Sequence, residues 1–200
     1  MEERLTKPRD DLLSVLATGE KEGSLSRDEV LGNTLLLLVA GHQTTINLIG
    51  NGILALLRHP DHWTQLQRDS TRITRATEEI LRYDAPVKRA PRIAAADIEL
   101  HGKTIRQGER VLLVLSAANR DPRQFSDPDT FDITRDPNPH VAFGGGIHHC
   151  LGANLARLEG QEAFRAITQR FAPFCLATEQ LEYQTLLSLR GLKALWVSWS

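Results

Sequence analysis

A cysteine, Cys150, stands between the glycine-rich run Phe143-Gly144-Gly145-Gly146-Ile147-His148-His149 and a helix-forming stretch from Ala153 to Glu159. A cysteine just ahead of a helix lies in the field of free backbone N–H groups and the positive end of the helix dipole. That setting favours the thiolate over the thiol, and the thiolate is the form that ligates metals. Glycines, lacking a Cβ, let the backbone pass tightly against something flat or bulky. Together these residues read as a site that offers one sulfur ligand. Plainer readings stand beside it: a small buried hydrophobe at Cys150, and a glycine cluster that only turns the chain. A zinc site from His140, His148, His149 and Cys150 is a further alternative, although zinc motifs normally space their ligands more widely.

A second group lies upstream, at Ala40-Gly41-His42-Gln43-Thr44-Thr45. Gly41 costs roughly 1 kcal/mol relative to alanine inside a helix, and threonines are mediocre helix formers. Ala40 and Thr44 are four apart, so the Thr44 hydroxyl can reach back to the Ala40 carbonyl. Such insertion beside a glycine widens a helix locally, and a widened groove next to a hydroxyl suits a small ligand and a water. The plainer reading is a helix whose small residues permit close packing.

The elements that must position these groups can be read from periodicity and caps. Ser26-Arg27-Asp28-Glu29 forms a capping box, and a helix runs from it to about Arg58, where His59-Pro60 stops it. About 30 residues at about 1.5 Å each give a rod of roughly 45–50 Å. It is apolar nearly all round between Val30 and Leu57, which predicts a buried central helix. Pro60 suits the first turn of a following helix carrying Trp63 and Leu66. A further helix covers about Thr74 to Tyr83. From Arg92 the period changes: Ile98-Glu99-Leu100, a His101-Gly102-Lys103 turn and Thr104-Ile105 read as a hairpin, with another strand from Val111 to Leu115. Residues 119 to 149 lack periodicity but carry Phe125, Phe131 and Phe143, which predicts a packed meander. Cys150 to Phe171 is the last clear helix, and strand-like segments close the chain from Leu186 to Trp199. Residues 1 to 23 read as polar, with one apolar turn at Leu12, Leu13 and Leu16.

Composition narrows the class. Twenty-four basic against 25 acidic residues give no electrostatic reason to expect nucleic acid or an anionic membrane. Two cysteines, Cys150 and Cys175, are too few for a disulfide scaffold and fit a reducing cytoplasm. The first residues have no apolar core, so they read as no signal peptide. The apolar run from Leu35 to Gly41 is too short to span a bilayer. The expectation is a soluble, cytoplasmic chain.

Phe143, Gly144, Gly146, His148, Cys150 and Gly152 fill every fixed position of Phe-Gly-x-Gly-x-(Arg/His)-x-Cys-x-Gly. In this the chain resembles the cytochrome P-450 family at its haem-binding signature. The oxygen-groove pattern (Ala/Gly)-Gly-x-(Asp/Glu)-Thr-(Thr/Ser) is met from Ala40 to Thr45 except at Gln43. Glu79-Ile80-Leu81-Arg82 and the turn that ends at Pro86-Val87 look like the family's Glu-x-x-Arg helix and the turn after it.

The resemblance implies a mainly α fold with small β-sheets: long central helix, Glu-x-x-Arg helix, meander and cysteine-loop helix. It implies haem b with Cys150 as axial thiolate, which favours O–O cleavage. His148, Arg92 and His140 would hold haem propionates, a charge-assisted pairing. Phe143 would pack beside the loop, Gly144 and Gly152 would frame it, and Ala40 and Gly41 would lie against the haem face. Thr44 would help deliver protons, with Gln43 able only to hydrogen-bond where an acid is usual. The Glu79–Arg82 pair would tie its helix to the meander. There the family's third partner is replaced by Thr130, for which Arg120 or Arg135 would compensate.

The implied activity is insertion of one oxygen atom of O₂ into a small apolar organic substrate. Leu37 and Val87 would face the pocket, and electrons would come from a ferredoxin or flavoprotein. Family members are roughly double this length, so residues 1–200 are expected to be the carboxy-terminal portion of one such domain. Without the other half, the apolar central helix is expected to expose surface that invites association. A non-catalytic haem-binding or interaction fragment is the alternative.

Overall fold

The structure, a computed structural model, describes residues 2–171 and 174–199. It divides into two compact units, residues 1–43 and 44–200.

The first unit holds two short helices and the start of a long one. Helix α1 is Glu2–Thr6, and α2 is Leu12–Lys21. Asp11 caps α2, its carboxylate accepting from the Ser14 amide at 2.8 Å and hydroxyl at 2.7 Å. The sequence reading saw only an apolar turn here, because it did not weigh Asp11 as a cap. Helix α3 opens at Arg27 on the expected capping box: the Ser26 amide donates to Glu29 at 2.8 Å and the Glu29 amide to Ser26 Oγ at 3.3 Å.

Helix α3 ends at Arg58, where the proline-directed boundary was expected. The expectation of burial along its whole length fails. Leu35, Leu36, Leu38 and Val39 are all more than 60% exposed, whereas Leu48, Leu54 and Leu56 are buried. Apolar character all round a helix marks surface that must be covered, and here Val30 and the later turns are covered while Leu35–Val39 are not. That outcome matches the exposed apolar surface expected of a chain of this extent. The widening expected near Gly41 is also not seen, since residues 27–58 run as uninterrupted α-helix. One glycine costs too little to break a helix this long.

The second unit is built on the later turns of α3, on α4 (Pro60–Arg68), α5 (Ile73–Tyr83) and α7 (Ala153–Arg170), with α6 (Leu115–Ala118) a single turn between. Pro60 opens α4, whose Trp63 and Leu66 are buried as expected. The core joins Leu48, Leu56, Trp63, Leu66, Ile80 and Phe164 to Phe131 and Ile133 of the meander. Phe125 and Phe131 are buried, which makes the stretch from 119 to 149 a packed meander despite its lack of regular structure.

Gly52 lets α3 approach α7. A Cβ there would stand 2.4 Å from Phe164 Cζ, 2.6 Å from Cε1 and 3.1 Å from Ile80 Cδ1. Phe164 is buried and has no room to retreat. Gly52→Ala is expected to cost about 1–3 kcal/mol through overpacking, read as a lowered urea midpoint. An unchanged midpoint would refute this account of the crossing.

The sheets are small and antiparallel. Strand β1 (Arg89–Ile93) pairs with β4 (Arg110–Val114), β2 (Ile98–Leu100) with β3 (Lys103–Ile105), and β5 (Cys175–Leu176) with β6 (Val197–Ser198). His101 and Gly102 turn the expected hairpin with positive φ of 50° and 73°, the mark of a type I′ turn. Strand β1 begins earlier than Arg92 and contains Pro91. In a two-stranded sheet every strand is an edge, where a missing N–H is tolerated.

Candidate functional site

The Cys150 loop is shaped by its own backbone. A 3₁₀ turn, Gly146–His148, precedes the cysteine, and α7 begins at Ala153. Gly144 and Gly146 take positive φ of 70° and 61°, where a side chain would be strained. The Cys150 amide donates to the Phe143 carbonyl at 2.9 Å, and the Ala153 amide donates to the Cys150 carbonyl at 3.2 Å. The sulfur thus sits just ahead of α7 in a closed turn. Cys150 is exposed, not the buried hydrophobe of the plainer reading. A Cβ on Gly152 would stand 4.0 Å from Cys150 Sγ, so that glycine keeps the sulfur's flank open.

Large apolar side chains accompany the sulfur. Ile147 is 98% and Leu151 93% exposed, and Leu155 and Leu158 follow Leu151 at helical spacing, also exposed. His148 is exposed beside them, and Arg92, on β1, is exposed with Nη1 donating to the Pro91 carbonyl at 2.7 Å. Phe143 is half-buried, its ring 4.6 Å from the Arg157 guanidinium.

His140 is placed differently from the expectation. Its side chain is 2% exposed, Nε2 lies 3.0 Å from a Glu78 carboxylate oxygen, and Nδ1 accepts from the Ala142 amide at 3.2 Å. Both ring nitrogens are used inside the protein. Glu78 also takes Arg157 on both oxygens, at 2.8 and 3.1 Å. Burial pushes the Glu78 carboxyl up, but the bonds from His140 and Arg157 outweigh it and hold it below its usual range. Sequence reasoning missed Glu78 and Arg157. The one signal was the doubled acid Glu78-Glu79, with Glu78 one residue round the helix from the Glu-x-x-Arg pair.

The Glu79–Arg82 pair is fully buried. Arg82 holds Glu79 through Nε and Nη2, both at 2.8 Å, and reaches the carbonyls of Asn119, Pro128 and Thr130 at 2.7–2.9 Å. Of the two candidates to replace the missing third partner, Arg135 does so, with Nε 3.3 Å from Glu79. Arg120 instead stacks 4.0 Å over Tyr83 and pairs with Asp129.

Ala40 and Gly41 are exposed on α3 in the first unit, and Gln43 is half-buried there. Thr44 is half-buried in the second unit, and its neighbour Thr45 donates to Glu159 of α7 at 2.9 Å. That bond fixes this turn of α3 to the helix that follows the cysteine. Among the described residues no group of three or more His, Cys, Asp or Glu is gathered to hold a metal ion, so the zinc alternative gains nothing. Nor is any described helix long and apolar enough to cross a membrane.

A helical fold that presents an exposed cysteine on a glycine turn, with exposed apolar side chains on either side in the sequence, offers one accessible sulfur. The family model described as "Cytochrome P450" matches residues 1–186, and the chain belongs to that family. It is 45% identical over 195 residues to a "Biotin biosynthesis cytochrome P450" of Bacillus subtilis (strain 168), covering 98% of this chain and 49% of that protein. It is 48% identical over 197 residues to a "Vitamin D(3) 25-hydroxylase" of Pseudonocardia autotrophica, covering 96% and 49%. Among solved structures it superposes with a TM-score of 0.94 at 45% identity on P450BioI in complex with an acyl carrier protein ligated to hexadec-9Z-enoic acid. That match covers 100% of this chain and 51% of the other. The chain spans about half the length of the curated relatives it matches.

The family implies haem held by a cysteine thiolate, and the residues present fit that group. A soft sulfur donor suits iron, the exposed apolar side chains suit a flat macrocycle, and Gly152 leaves the sulfur's flank free of a side chain.

Proposed function

We propose that residues 1–200 are the carboxy-terminal portion of a single cytochrome P-450 domain, one that inserts an oxygen atom of O₂ into a small apolar organic substrate. The observation that carries this reading is the exposed Cys150 sulfur on its glycine turn, set among Ile147 and Leu151. Haem bound there supplies the one-electron and dioxygen chemistry. Cys150 Sγ would hold its iron as a thiolate. His148 and Arg92 pair with the propionates, each a charge-assisted bond. Phe143, beneath Arg157, packs beside the loop, while Gly144 and Gly152 would leave room for the ring. Ala40 and Gly41 offer a side-chain-poor helix surface to the haem face. Electrons come from a ferredoxin or flavoprotein donor, in the cytoplasm. The relatives' printed names, a vitamin D(3) hydroxylase and an acyl-group complex among them, agree with an apolar substrate.

Thr44 would hold a proton on its hydroxyl for delivery to bound dioxygen. Gln43 donates or accepts hydrogen bonds but cannot gain or lose a proton near neutral pH. In an active holoenzyme, Gln43→Glu is therefore expected to raise product formed per electron consumed by about twofold or more. Unchanged coupling would count against a proton-relay role at this position.

Haem titration of the chain tests the reading. Stoichiometric uptake, with a reduced, carbon-monoxide-bound Soret band at the thiolate position, is the expected result. The second reading, a non-catalytic haem-binding or interaction fragment, is favoured by the exposed Leu35–Val39 run. It predicts uptake with neither that band nor turnover. Binding of zinc and refusal of haem would sink both.

A further inference from the structure

Three polar side chains behind the Cys150 loop are fixed more thoroughly than packing requires. Glu78 of α5 receives Arg157 Nε at 2.8 Å and Nη2 at 3.1 Å, and shares an oxygen with His140 Nε2 at 3.0 Å. Because His140 Nδ1 accepts from the Ala142 amide, the network assigns the ring proton to Nε2, which donates to Glu78. The imidazole is thus a strut fastened at both ends. Arg157 makes a second connection, its guanidinium lying 4.6 Å from the Phe143 ring centroid.

The loop needs such anchors. Gly145 and Gly146 have no neighbour within 4 Å of where a Cβ would stand, so side-chain packing cannot locate them. Position must be imposed at the loop's near end, where the Val141 amide donates to Asn119 Oδ1 at 2.8 Å and Ala142 meets His140. Phe143 follows, and its carbonyl holds the Cys150 amide at 2.9 Å. One carboxylate on α5 therefore reaches the cysteine by two routes, through the backbone before Phe143 and through the Phe143 ring.

We propose that Glu78, His140 and Arg157 form a brace that sets where the segment from Phe143 to Cys150 holds its sulfur, making His140 and Arg157 positioning residues. The brace stands on geometry within the chain, while its catalytic value rests on the haem reading above. A ring present only as filler would need neither the carboxylate nor one particular tautomer.

Two half-brace variants separate these accounts. His140→Asn keeps an acceptor near Nδ1 and loses the link to Glu78; His140→Gln keeps a donor near Nε2 and loses the link to Ala142. In a Cys175→Ser background, amide exchange at Ala142 and Cys150 and alkylation of Cys150 by iodoacetamide are followed in the 200-residue chain. Both variants are expected to speed Cys150 amide exchange by about tenfold. Trp63→Phe, which loosens the core away from the loop, is expected to change it by less than about twofold. Equal acceleration in all three, or none in either histidine variant, overturns the brace. Should a histidine variant fail to fold, Arg157→Lys, which keeps the charge but loses the two-point grip, is read in the same way. In the haem-loaded chain, a displaced Soret band in the half-brace variants supports the positioning role. A wild-type chain that takes up no haem refutes the haem reading and leaves the exchange result standing.

Discussion

Replacing Arg82 by leucine is expected to leave a chain that does not fold under native conditions. The guanidinium has five N–H donors, and five bonds account for them: two to Glu79 and one each to the carbonyls of Asn119, Pro128 and Thr130. Neither Arg82 nor Glu79 has any side-chain exposure, so solvent cannot screen the loss. Removing one member of a buried pair costs about 3–5 kcal/mol, because the other charge stays buried. Each abandoned carbonyl adds about 1–3 kcal/mol where water cannot reach it. A domain of this size has about 5–15 kcal/mol in total, so the loss consumes most or all of it. Arg135→Ala is expected to be milder, since Arg135 is 10% exposed and Arg82 still holds Glu79. Thr130→Val is expected to be nearly neutral, because the bonds at Thr130 reach its backbone oxygen. Urea midpoints rank the three. A folded Arg82→Leu chain with an unchanged midpoint would contradict the clamp.

The Arg135 result marks where the sequence stops being readable. The cap at Ser26, the stop at Pro60 and the Cys150 turn were legible because each is local: its partners lie within a few residues. Replacement of the meander's third partner was legible only as a choice between Arg120 and Arg135. It was decided by turns at Asp127–Thr130 and Asp132–Arg135 that fold Arg135 back onto Glu79. His140 shows the same limit. Its sequence position suggested a propionate partner, and only the fold brings Glu78, 62 residues away, to its Nε2. Exposure along α3 was expected, but which of its turns stay covered was not legible, for a third reason. Composition says that a helix wants burial on all sides, but not whether this stretch of chain supplies the cover.

Replacing Cys150 by serine is expected to do the opposite of Arg82→Leu: abolish the site and spare the fold. The cysteine's structural work is done by its backbone, through the amide to Phe143 and the carbonyl to Ala153, and serine keeps both. The side chain itself is exposed, and such substitutions usually move stability by no more than about 0.5 kcal/mol. A hydroxyl, however, is a hard and weakly acidic donor where the soft thiolate is needed. The reduced, carbon-monoxide-bound Soret band at the thiolate position should therefore vanish while the haem-free chain melts as before. His148→Ala and Arg92→Ala should give the complementary pattern. Each would remove the charge-assisted bond proposed for it, worth about 1.5–3 kcal/mol, and so weaken haem binding by about 10- to 100-fold with the band unmoved. If Cys150→Ser retains that band, the sulfur comes from elsewhere. Cys175, the chain's other cysteine and likewise exposed, is the residue to replace next.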